Sequence, residues 1–299
     1  MAALPVMKIL VMCGIGALLA SPKINAFPPD ARKHLNKLVV LVFAPCLIFT
    51  KLAETVTAEK LIEWWYMPLN VLLSFAIGAC VGLVVVKLTR PPHHLENLTI
   101  ACCSAGNTGN VPLVLISSIC EVDDNPFGAN LSCSLNGQAY VSFGMWFLAL
   151  IVGGCVPLKS IFIGSHAPLH FLTDCFAILG DATIPCMNLI LGGNLISGIH
   201  GSGLQPKTTI GILCTRFFIL PLIGCGLVFI VINLKLIPDD PLFHFVLLLQ
   251  FCMPTAINIG TIAQLHENGE LETSMILFWS YTSSVVFLTV WIIFFLAKV

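Results

Sequence analysis

Charge is what this sequence has least of. Lysine, arginine, aspartate and glutamate make up 10% of its 299 residues, whereas a soluble domain carries about 25%. So few ionised side chains cannot cover a protein surface in water. Those present nearly cancel, 14 basic against 15 acidic for a net charge of −1, so no bulk field draws in nucleic acid. Period-2 alternation in short segments is also missing, which excludes a membrane β-barrel. The 13 cysteines form no CxxC pair and no Cys/His cluster at metal-ligand spacing. Most sit inside apolar runs, where a thiol is a small packing group. No spacing calls for a cofactor or a metal. Leu179-Gly180-Asp181 has the look of an intramembrane aspartyl protease motif. That chemistry needs a second mid-span aspartate from another helix, and none occurs. An enzyme is not expected.

What the sequence does have is long apolar runs. Hydrophobic residues make up 57% of the chain, and mean hydropathy is +0.96. The runs cover 4–20, 37–52, 65–86, 98–119, 134–158, 171–194, 208–234, 242–264 and 272–297. Several approach or exceed the roughly 20 residues that cross a lipid bilayer. The fold class is an all-α polytopic membrane protein. The first run lacks a basic leader region and holds Lys8 inside it, so it reads as a span rather than a cleaved signal. Links 21–36 and 87–97 hold Lys23, Arg32, Lys33, Lys87 and Arg90, while link 120–133 holds Glu121, Asp123 and Asp124. The positive-inside rule puts the first two links in the cytosol and the N-terminus across the membrane from them. In the second half lysine and arginine are too sparse to decide.

Four spans carry breakers: Pro45, the run Asn107 to Pro112, Pro185 with Asn188, and Pro254 to Gly260. Pro45 and Pro112 lie 67 residues apart; Pro185 and Pro254 lie 69 apart. The sequence therefore reads as two halves with two broken helices each, an inverted-repeat transporter pattern. An interior proline removes a backbone donor and displaces a carbonyl. Freed N–H and C=O groups at membrane depth are tolerated only in protein or against a cavity. Matched broken helices in two halves point to a substrate site near the bilayer midplane. Half-helix N-termini favour a carboxylate there. The candidate substrate-binding residues are Asn107, Asn110 and Pro112 at the first break and Pro254 and Asn258 at the second. Asn70 is a further candidate to line the path. Asp181, an intramembrane carboxylate, is the candidate for a coupling proton, while Asp174 reads as an interfacial helix-start residue. Arg216 either snorkels or pairs with a carboxylate, or else attracts substrate.

The stretches "DARKHLNKLVVLVFAPCLIF", "SAGNTGNVPLVLI", "LNGQAYVSFGMW", "ILGDATIPCMNLILGGNLI" and "LLLQFCMPTAINIGTIAQL" resemble the plant PIN-LIKES (PILS) proteins of the auxin efflux carrier family. The likeness runs in order along nearly the whole chain. It implies ten helices in an inverted five-plus-five repeat, with crossovers in helices four and nine. The halves would be residues 1–147 and 148–299. It also implies residence in the endoplasmic-reticulum membrane and carriage of auxin, an indole carboxylate, between cytosol and lumen. A carrier of another organic anion and a transport-inactive truncated variant are the alternatives, and a homodimer stays open.

One stretch departs from that pattern. "AYVSFGMWF" runs straight into "LALIVGGCVPLKSIF", leaving about 25 apolar residues where two spans need roughly 40. Helices five and six are thus fused near Phe147-Leu148. No turn residue occurs there, so 134–158 is expected to cross once. That gives nine crossings, a cytosolic Val299 and a second half inverted relative to the family, with crossovers unable to meet. Cys120 and Cys133 bracket the acidic link and either form a lumenal disulfide or stay as two free thiols. The sequon Asn130-Leu131-Ser132 lies so near the next span that it is expected to be unused.

Overall fold

A computed structural model of the chain describes residues 3–55, 62–121, 125–143, 170–198, 204–265 and 268–298. Among these, every element is a helix apart from one isolated β-bridge. The first half holds α1 (Ala3–Ala20), α2 (Pro29–Leu38), a π-turn (Val39–Phe43), α3 (Ala44–Thr55), α4 (Tyr66–Thr89), α5 (His93–Ser104), α6 (Asn110–Cys120) and α7 (Asn130–Phe143). The second holds α8 (His170–Asp181), α9 (Thr183–Gly198), α10 (Pro206–Cys214), a π-turn (Thr215–Ile219), α11 (Leu220–Asn233), α12 (Pro241–Phe251), α13 (Asn258–Leu265) and α14 (Glu270–Leu296). Four continuous helical stretches, Tyr66–Thr89, Phe171–Asn194, Pro206–Asn233 and Glu270–Leu296, are long and apolar enough to cross a membrane. Leu72, Leu83, Leu88, Leu222, Val286 and Val290 point outward, as lipid-facing side chains do.

Only two of the four expected breaks open. Between α5 and α6, and between α12 and α13, the backbone leaves the helix altogether. Pro45 instead follows a π-turn in which the Ala44 N–H donates to Val39 O, five residues back. Such a widened turn is one way a helix runs on through a proline. Pro185 is the third residue of α9, after a single turn residue, and the Cys186 N–H already reaches Ala182 O at 3.2 Å. A proline in a first turn removes a donor that has no helical partner anyway. Of the four expected interruptions, two are openings, one is a π-turn and one is a single turn residue between α8 and α9.

The crossovers divide the molecule into two layers. α7 descends along α6, with Gly137 against Ile116, and packs on α3 and α12. α8 also packs on α3. In the other layer α9 packs on α2, and α10 and α13 pack on α5. Gly180 closes on the Leu47 backbone while Gly193 closes on Arg32, so α8–α9 runs antiparallel to α2–α3. Hence α7 and α8 start on the same face. α14 starts in the opposite layer, with Gly269 against Leu95 and Leu98, and ends on the face where α7 starts. The expectation that the crossovers cannot meet is corrected, since Gly106 pairs with Thr255; the expected single crossing of 134–158 and the cytosolic Val299 rest on residues outside those described. Residues 144–169, which include most of that span, lie outside the described residues.

On the α7 face Cys120 and Cys133 form a disulfide, joining the end of α6 to the start of α7. The basic links, with Lys23 and Arg90, open on the other face, and so does Lys207 at the start of α10.

Candidate functional site

The two openings meet. Gly106 and Thr255 form an antiparallel bridge. The Asn107 N–H donates to Pro254 O at 2.8 Å, and the Ala256 N–H donates to Ala105 O at 3.0 Å. Groups freed by each broken helix are therefore satisfied by the other. This is how bare peptide survives in a layer without water. Both crossovers lean on α14 at consecutive residues: the Asn107 amide donates to Tyr281 Oη at 2.6 Å, and Ser280 Oγ accepts from the Thr255 N–H at 3.0 Å.

A cavity of about 320 Å³ lies against the crossing, near the lower end of the roughly 300–1,000 Å³ usual for small-molecule sites. Its polar wall is Asn107, Thr108 and Gly109 from the first opening, Asn258 from the second and Thr183 from α9; Leu47, Phe75, Met187 and Ile262 are among its apolar walls. Gly109 caps α6 and Asn258 begins α13. Two helix N-termini thus border one cavity, each with the positive end of its dipole; in α13 the Ile259 and Gly260 N–H groups already donate to Ala256 O and Ile257 O. Such a place suits an anion with an apolar body.

The sequence candidates fall in different places. Asn107 lines the cavity but is buried, with its amide donating to Tyr281. Asn258 lines the cavity and is exposed. Asn110 starts α6, and its side chain lies outside what is described. Pro112 occupies the third position of α6, where no donor is lost, and Pro254 supplies the carbonyl that Asn107 binds. Asn70 lies away from the cavity: fully buried, it donates to Leu247 O at 3.1 Å and Gln250 Oε1 at 2.7 Å, holding α4 to α12. Asp181 is exposed at the end of α8 and does not line the cavity. Thr255 falls inside the second break, but Tyr281 and Ser280 are not singled out by the sequence. The only early sign of the latter two is a run of hydroxyls within an apolar span.

An all-helical membrane protein whose two broken helices cross at one cavity is a transporter by architecture. The membrane transport protein family matches residues 1–147 and again 146–292. Protein PIN-LIKES 5 of Arabidopsis thaliana is 35% identical over 99% of this chain and 97% of its own length. Protein PIN-LIKES 1 is 36% identical over 98% and 78%, and Protein PIN-LIKES 3 is 34% identical over 98% and 96%, both from the same plant. The chain belongs to the PIN-LIKES group of the membrane transport protein family. The alignment with PIN-LIKES 5 spans 383 positions against 299 residues here, so at least 84 positions hold residues in the relative alone. The two family matches meet at 146–147, next to the Phe147-Leu148 junction.

Proposed function

We propose that the chain carries auxin, indole-3-acetic acid, across the endoplasmic-reticulum membrane and so sets how much reaches the rest of the cell. The observation that carries this reading is the pair of helix N-termini, with Asn258, facing one largely apolar cavity. The carboxylate sits at the N-termini and Asn258, and the indole ring takes the wall of Leu47, Phe75 and Met187. The halves 1–147 and 148–299 act as inverted repeats that rock about the crossing. The internal shortfall against the relatives favours a second reading, a transport-inactive variant that still binds. Uptake of radiolabelled indole-3-acetic acid into vesicles bearing the full chain separates them. The carrier reading expects saturable uptake that unlabelled auxin blocks; uptake no greater than in empty vesicles contradicts it. Competition by aliphatic or benzoic acids at equal concentration would make the substrate another organic anion.

A further inference from the structure

Arg216 stands in the π-turn Thr215–Ile219 with no exposed surface. An isolated guanidinium at this depth is expensive, and among the described residues no carboxylate pairs with it. Its Nε donates to Cys102 O at 3.2 Å. That carbonyl is left over because α5 stops at Ser104, and Thr255 Oγ1 donates to it as well at 3.3 Å. Arg216 therefore covers the negative end of the α5 dipole, equivalent to roughly half a charge, and keeps the remainder of its own. Nη1 and Nη2 have no hydrogen-bond partner. Both lie against Gly106: a Cβ built there would meet them at 3.0 and 3.2 Å. Gly106 is itself a wall of the cavity. A fixed cation thus presses on the back of the first crossover, one peptide away from the space that the helix N-termini border.

We propose that Arg216 is the charge-selecting residue of the crossover cavity. It acts through the Gly106 peptide to make the cavity prefer a carboxylate over a neutral molecule of the same shape. The assignment rests on the carrier reading above and deepens it. The π-turn is what places it: the extra residue swings Arg216 inward while Phe218 and Ile219 stay on the outer surface. Gly106 on the facing side lets the guanidinium lie this close, since a Cβ there would have to push it back.

Equilibrium binding to the purified full chain in lipid nanodiscs tests this, using indole-3-acetate and its neutral isostere indole-3-acetamide as probes. Wild-type protein is expected to prefer the acid. Arg216→Gln should lower that preference about tenfold or more, leaving amide affinity within about threefold. Arg216→Lys, which keeps the charge, should hold the preference within about threefold, and it keeps the test open if the Gln variant does not fold. An unchanged preference in a folded Arg216→Gln overturns the role of Arg216 and leaves the carrier reading standing. A folded Arg216→Lys that has lost the preference also overturns it, since contact geometry rather than charge would then be at work. Wild-type protein that binds neither probe overturns both readings.

Discussion

The two crossovers share a backbone arrangement and deploy their amides in opposite ways. Asn107 turns into the protein and is spent on Tyr281; Asn258 faces the cavity. The first opening is a fixed wall, clamped by α14 and backed by Arg216. The second brings an exposed amide to the start of a short helix. Similar amide-rich breaks thus serve different purposes, and spacing along the chain does not tell which asparagine meets the ligand.

Substitutions can break this asymmetry. The largest effect on binding is expected at Asn258. Asn258→Ala removes one charge-assisted hydrogen bond, about 1.5–3 kcal/mol or roughly tenfold to a hundredfold in auxin affinity, with the melting temperature unchanged. Isothermal titration checks it, and equal affinities would move the anion away from the second crossover. Asn107→Ala should act on stability instead. It leaves the buried Tyr281 hydroxyl without its donor, which costs about 1–3 kcal/mol and is read as a lower melting temperature. Tyr281→Phe removes the partner and should cost about 1 kcal/mol. Asn107→Ala weakening auxin more than Asn258→Ala would reverse the comparison. Asn70→Ala should likewise lower stability, through Gln250, without altering the preference for acid over amide. Asp181→Asn is expected to matter least, changing uptake less than about twofold, because the residue is exposed and off the cavity.

The helices were legible because a bilayer demands long apolar runs. The two openings were legible because glycine, asparagine and proline cluster there. The fate of Pro45 and Pro185 was not. A π-turn or a first-turn position absorbs a lone proline, and nothing local distinguishes that from a break. The roles of Tyr281, Ser280 and Asn70 depend on partners far along the chain: Asn107 and Tyr281 are 174 residues apart. For Arg216 the sequence left snorkelling, pairing and attraction open. Only the packing of α5 against the π-turn shows a guanidinium pressed on Gly106. About 25 apolar residues argue for one crossing of 134–158, whereas the crossover bridge and the approaches of Gly180 to Leu47 and Gly193 to Arg32 set α8–α9 antiparallel to α2–α3, which no local run of residues reveals.

That antiparallel meeting is the central claim, because without it no shared cavity exists. Glycosylation acceptor tags placed in turn at the N-terminus and after Val299, in chain expressed in endoplasmic-reticulum membranes, test it directly. The structure predicts that both tags are modified, with both ends on the lumenal face opposite the basic links. Modification of the N-terminal tag alone would mean an odd number of crossings and parallel crossovers, and would contradict the account.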